Sequence, residues 1–163
     1  MPPTRKEQAA RKALWSGLET VVIDTATTGL VGDVRIVSIA LLGVSGGKVV
    51  VSSSWLVNPG TARIGATHIH GLTAADLHDQ PSFAQLADVI RTHLHSDHPG
   101  GVILTGHNVA FDAACLAREF ARTRLACPPL RLLTDTGALA KAAHVAPVSP
   151  SAASLTPCWM CSG

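Results

Sequence analysis

Three β-branched, apolar runs follow one another before any strong helical pattern appears. They are "TVVID" (20–24), "RIVSIALLGV" (35–44) and "KVVVSSSWLV" (48–57). Runs of this length and type are the signature of strands. "GG" at 46–47 sits where a hairpin turn joins the second and third. "NPG" after Val57 ends the third. The pattern predicts an antiparallel meander, which must bury at least one face against something else.

That cover comes from the next part of the chain. "SFAQLADVIRTHL" (82–94) carries a capping box, Ser82 with Gln85, and apolar residues at helical spacing. "GGVILTG" (100–106) reads as a fourth strand and "DAACLAREFARTRL" (112–125) as a second helix. "LRLLTD" (130–135) and "TGALAKAA" (136–143) read as a fifth strand and a short helix. Strands in a row followed by α/β alternation predict one mixed sheet with helices on its faces. Thr4 and Glu7 fit a capping box for a helix over 5–15, whose basic residues read as a solvated face. Residues 1–18 are thus expected to be a helical extension, 19–145 the domain, and 146–163 an irregular tail.

Composition narrows the function classes. The 163 residues suffice for one domain. A formal charge of +2 is too small to imply nucleic-acid binding by itself. No run approaches the ~18 apolar residues of a membrane span. No secretion signal is read at the N-terminus, so a cytoplasmic location with reduced cysteines is expected. "CWMC" (158–161) lacks a second pair of ligands, and "HLHSDH" (93–98) reads as a polar, solvated helix end.

Chemistry concentrates in "VVIDTATTGL" (21–30). Residues i and i+2 of a strand face the same way, so Asp24 and residue 26 point at one spot. Two carboxylates there would seat Mg²⁺ or Mn²⁺. Residue 26 is alanine, however. Asp112 follows "GHNVAF" at a strand-to-helix junction. If the fourth strand lies beside the first, that junction brings Asp112 towards Asp24. Taken alone, Asp112 also fits a plain helix-end or turn aspartate.

"VVIDTATTGL", "ATHIHGLTAADLHDQPSF" and "TGHNVAFDAACLAREF" together resemble, in order and spacing, motifs of the DnaQ-like 3′–5′ exonucleases, the DEDD class. The match runs from about Thr20 to Ala143. The resemblance implies a ribonuclease-H-like fold, a mixed five-stranded sheet flanked by helices. It implies action on 3′ ends of single-stranded DNA or RNA, as in polymerase III epsilon-like proofreading or repair, with a DNA polymerase subunit as a partner. Asp24 and Asp112 match the first and third of four metal-binding carboxylates. Thr27, Thr28, Gly29 and Leu30 match the turn against the terminal nucleotide. His70, Asn108 and Phe111 match residues that shape its site. Ala26 stands at the second carboxylate, and the final His/Asp motif has no counterpart. Asp33, Asp135 and His107 lack the motif's spacing. The expectation is a C-terminally truncated, catalytically impaired exonuclease that holds at most one Mg²⁺ or Mn²⁺ weakly. The alternatives are a non-catalytic nucleic-acid or polymerase-binding module and a non-functional product.

Overall fold

The three apolar runs form the antiparallel half of a five-stranded sheet. The computed structural model describes residues 4–6, 19–61, 63–95, 102–130 and 132–142. β1 (Glu19–Thr27), β2 (Ile36–Ser45) and β3 (Lys48–Leu56) pair antiparallel. β4 (Ile103–Gly106) and β5 (Leu132–Asp135) add parallel neighbours, giving the order β3-β2-β1-β4-β5. The β2–β3 turn has Gly46 at φ 57° and Gly47 at φ 74°. Two positive φ values in succession let the hairpin follow the right-handed twist of its strands.

Register decides which residues meet which neighbours. Ile23 pairs with Leu41 and Thr25 with Ile39, whereas Asp24 pairs with Ala40 and Ala26 with Ser38. The first set faces a large apolar core; the second faces the opposite side of the sheet. β4 pairs with β1 only along Thr20–Val22, so β1 runs on past it. At Gly106 a side chain would come within 2.8 Å of the Ile23 carbonyl oxygen. Only glycine lets the two backbones part so closely.

Among the described residues the helices after β3 are α1 (Thr67–His70), α2 (Ala74–His78), α3 (Phe83–His93), α4 (Val109–Thr123) and α5 (Thr136–Ala142). α3 has the predicted capping box, with the Ser82 N–H donating to Gln85 Oε1 over 2.8 Å. Its buried face is Phe83, Leu86, Ala87 and Ile90. α4 begins at Val109, three residues before the expected Asp112. Asn108 turns the chain there in a left-handed conformation, φ 56° and ψ 40°, which asparagine tolerates. α3 and α4 cover the same sheet face, where Phe83 and Phe120 meet edge to face at 5.2 Å. A smaller core of Val37, Leu72 and Leu77 lies apart from it, with Ala26, Leu56 and Ile64 against it.

A buried ion-pair network joins α4 to the start of β2. Glu119 is 1% exposed. It accepts from Arg35 Nε at 2.8 Å and Nη2 at 3.1 Å, from Arg122 Nη1 at 3.2 Å, and from the Ile36 N–H at 3.2 Å. Arg122 also pairs with Asp33, and Arg35 Nη1 donates to the Pro59 carbonyl at 2.6 Å. The bond to Glu119 holds the Arg35 guanidinium above its usual pKa.

Some expectations fall outside the described residues: most of the 5–15 helix, the 146–163 tail and "CWMC". One is corrected. His93 is no solvated helix end; it is half-buried and bonded to Ser53. Among the described residues no helix is long and apolar enough to cross a membrane.

Candidate active site

Beyond the point where β4 leaves it, β1 floors a cavity of about 460 Å³. Asp24, Ala26, Ser38 and Ala40 line its sheet side; Ile69, His70 and Leu72 come from the α1 region; Phe111 arrives from α4. The pairing of Asp24 with Ala40 and Ala26 with Ser38 puts small side chains beside the acid. The pocket is therefore roomy and carries little charge.

The 27–30 turn is firmly held. Thr27, 6% exposed, donates its hydroxyl to the Gly29 carbonyl over 2.7 Å. The Thr28 N–H donates to the Arg35 carbonyl at 2.9 Å, and the Arg35 N–H donates to Thr28 Oγ1 at 3.0 Å. Gly65 packs against this turn: a side chain there would strike the Thr28 carbonyl oxygen. Leu30 stands 70% exposed where it lines the cavity. Gly29 is open on its Cβ side.

His70 lines the cavity with both ring nitrogens occupied. The Leu72 N–H donates to Nδ1 at 3.0 Å, so Nε2 carries the proton and donates to the Gly65 carbonyl at 3.0 Å. This histidine braces the loop from 65 to 72 and offers the pocket its ring. Asn108 is exposed and serves as the left-handed residue before α4. Phe111 lines the cavity while packing against the main core.

Asp112 is 5% exposed and accepts a 2.6 Å hydrogen bond from Thr25 Oγ1. Burial pushes its pKa above the ordinary carboxylate value; the Thr25 bond opposes this, and the negative charge of Asp24 adds to it. Asp112 itself does not line the cavity that Asp24 floors. A carboxyl with a raised folded pKa holds its proton more tightly folded than unfolded. Its contribution to stability is full below the unfolded pKa and is lost as pH rises through the folded one. Asp112→Asn is therefore expected to raise the unfolding midpoint at pH 7, with the gain vanishing below about pH 4. Thermal melts at the two pH values check this, and an unchanged midpoint at pH 7 contradicts it.

Thr25 is the site residue that the sequence left unnoticed. Its place between Asp24 and Ala26 was the only signal, since it must face the helices when they face the pocket. Asp33, His107 and Asp135 do not line the cavity. Asp33 pairs with Arg122. Asp135 accepts from the Gly137 and Ala138 N–H groups at 2.8 and 3.0 Å, which with His107 lowers its pKa.

Among the described residues no three histidine, cysteine, aspartate or glutamate side chains are placed to share an ion. The cavity lining supplies one carboxylate, Asp24, and a row of small side chains, while Asp112 is buried against Thr25 outside that lining; such a donor set does not fit a cage for two divalent ions.

The model of an exonuclease family, RNase T, matches residues 21–155, and the chain belongs to that family. Over 140 residues it is 35% identical to the chloroplastic/mitochondrial exonuclease DPD1 of Arabidopsis thaliana, covering 82% of this chain and 44% of that protein. Exonuclease X, solved with 5′-overhanging duplex DNA, is 31% identical with a TM-score of 0.52, over 76% of this chain and 63% of that one. E. coli exonuclease I, solved with an oligonucleotide, shares the fold with a TM-score of 0.66 at 17% identity, over 78% of this chain and 30% of that one. The chain thus spans less than two thirds of the length of each of these proteins. The expected ribonuclease-H-like class and five-stranded mixed sheet are both found.

Proposed function

We propose that the chain binds the 3′ end of a nucleic-acid strand in the Asp24–Phe111 cavity and hydrolyses it slowly or not at all. Ala26 carries this reading. It occupies the seat beside Asp24 where the family resemblance implies a second carboxylate, and small residues surround it. Asp24 and Asp112 would hold one hydrated Mg²⁺ or Mn²⁺. Such an ion, when bound, supplies positive charge against the phosphate. Asp24 would meet that charge from the strand, and Thr25 fixes the Asp112 carboxylate in place through a 2.6 Å hydrogen bond. Leu30, Ile69 and Phe111 offer apolar contacts for unstacked bases. Among the described residues lining the cavity none has a free imidazole to serve as general base, since both His70 nitrogens are engaged. Losing a general base alone typically removes about 10²–10⁴ in rate. The resemblance to proofreading enzymes extends this reading to a role beside a polymerase or in repair.

A 5′-labelled single strand, incubated with the purified protein and Mg²⁺ or Mn²⁺, tests the proposal. The expected result is retained binding with no shortening above an Asp24→Asn control. Rapid, multiple-turnover shortening from the 3′ end that the control lacks would overturn it. Absence of both binding and cleavage in folded protein would remove the binding half of the reading.

A further inference from the structure

On the helix-covered face of the sheet, Ser53 and His93 form a pair the exonuclease reading does not use. Ser53 Oγ lies 2.8 Å from His93 Nε2. His93 Nδ1 lies 2.8 Å from the Val89 carbonyl oxygen. A carbonyl only accepts, so Nδ1 of the neutral ring carries the proton. Nε2 is then the lone-pair side, and the Ser53 hydroxyl donates to it. Nucleophile, base and a third group that orients the base are all in hydrogen-bond reach. The Trp55 ring meets the imidazole edge to face at 5.3 Å, which further fixes its plane. Both Ser53 and His93 are half-buried, hence reachable yet held.

Two neighbouring features fit an acyl group. A cavity of about 330 Å³ is lined by His93 and by Val44, Val50, Val51 and Val102; Ser53 does not line it and meets it through His93. Val51 lies two residues before Ser53 on the same face of β3. β3 is also the edge strand among the described residues, so alternate backbone N–H groups face away from β2 and have no described sheet partner. Such amides are donors of the kind that hold an oxyanion. The cavity reaches Glu19, at the start of β1, whereas the exonuclease pocket lies at its other end.

We propose that Ser53 is a nucleophile activated by His93, and that this second site takes esters of short aliphatic acids. Ser53 Oγ attacks the ester carbonyl while its proton passes to His93 Nε2. The C–O bond to the alcohol breaks, and the alcohol leaves with that proton. Water then attacks the acyl-serine, again giving a proton to His93; the acid departs and the Ser53 hydroxyl is restored. The proposal stands or falls independently of the exonuclease reading.

An alkyl fluorophosphonate is the probe: it forms a P–O bond to Ser53 and releases fluoride with the serine proton. The unaltered full chain is expected to gain one adduct, mapped to Ser53 by mass spectrometry. Ser53→Ala should lose it, and His93→Gln should slow it by roughly 10²-fold or more. A burst of nitrophenol from p-nitrophenyl butyrate, absent in Ser53→Ala, is the matching result with an ester. No adduct and no burst overturn the proposal, as does equal labelling of folded His93→Gln. If either variant folds poorly, the unaltered chain decides: labelling of exposed Ser54 as fast as Ser53 means no activation.

Discussion

Glu119→Ala is expected to lower the stability of the domain by about 3 kcal/mol. The carboxylate is buried, and its removal leaves Arg35 with the Pro59 carbonyl and Arg122 with Asp33, and strands the Ile36 N–H. The arginines are partly exposed, 25% and 31%, so water relieves some of the penalty. The loss therefore falls at the low end for a broken buried pair. Even so, it is a large share of the ~5–15 kcal/mol that holds a typical domain together. Urea unfolding measures it. Glu119→Gln keeps the volume and one acceptor, and should cost about half as much. The exposed Asp88–Arg91 pair on α3 is the contrast: Arg91→Ala should change stability by less than ~0.5 kcal/mol. Equal effects at the two places would mean that burial of Glu119 is energetically unimportant.

Ala26→Glu is expected to turn a weak ion site into a strong one. The new carboxylate would share the pocket with Asp24 and lie near Asp112, whose pKa already responds to Asp24. Without a divalent ion, three like charges should lower the melting temperature below that of the unaltered chain. With Mn²⁺ the order should reverse. At an ion concentration a hundredfold above its Kd, binding adds about 2.7 kcal/mol, roughly 5–10 °C in a domain of this size. The unaltered chain should move far less. If Mn²⁺ stabilises both proteins equally, position 26 is not a ligand seat and the impaired reading loses its main support.

The sheet was legible because its strands announce themselves by period and punctuation. The apolar runs, the Gly46–Gly47 turn and the Ser82–Gln85 box all appear where local chemistry requires them. The start of α4 was misplaced because Asn108 is a poor helix former and no motif rule gives its left-handed φ. The influence of the Asp24 charge on Asp112 was inferable only through a long-range assumption about β4. What stayed hidden was the second partner of each interaction. Nothing in the text joins Thr25 to Asp112, Arg35 to Glu119 or Ser53 to His93, which lie 87, 84 and 40 residues apart. Such pairs are set by packing of whole elements, which periodicity does not encode.

Arg35 is held at both ends of its structure. Its backbone exchanges two hydrogen bonds with Thr28, and its side chain is sunk into Glu119 of α4. The 27–30 turn, which the proposed function sets against a strand end, thus inherits the stiffness of a fifteen-residue helix. Its ordering entropy is spent when the domain folds, leaving little to lose on recognition. A lock of this kind favours a ligand whose shape already matches and gives no advantage to one that must remould the turn.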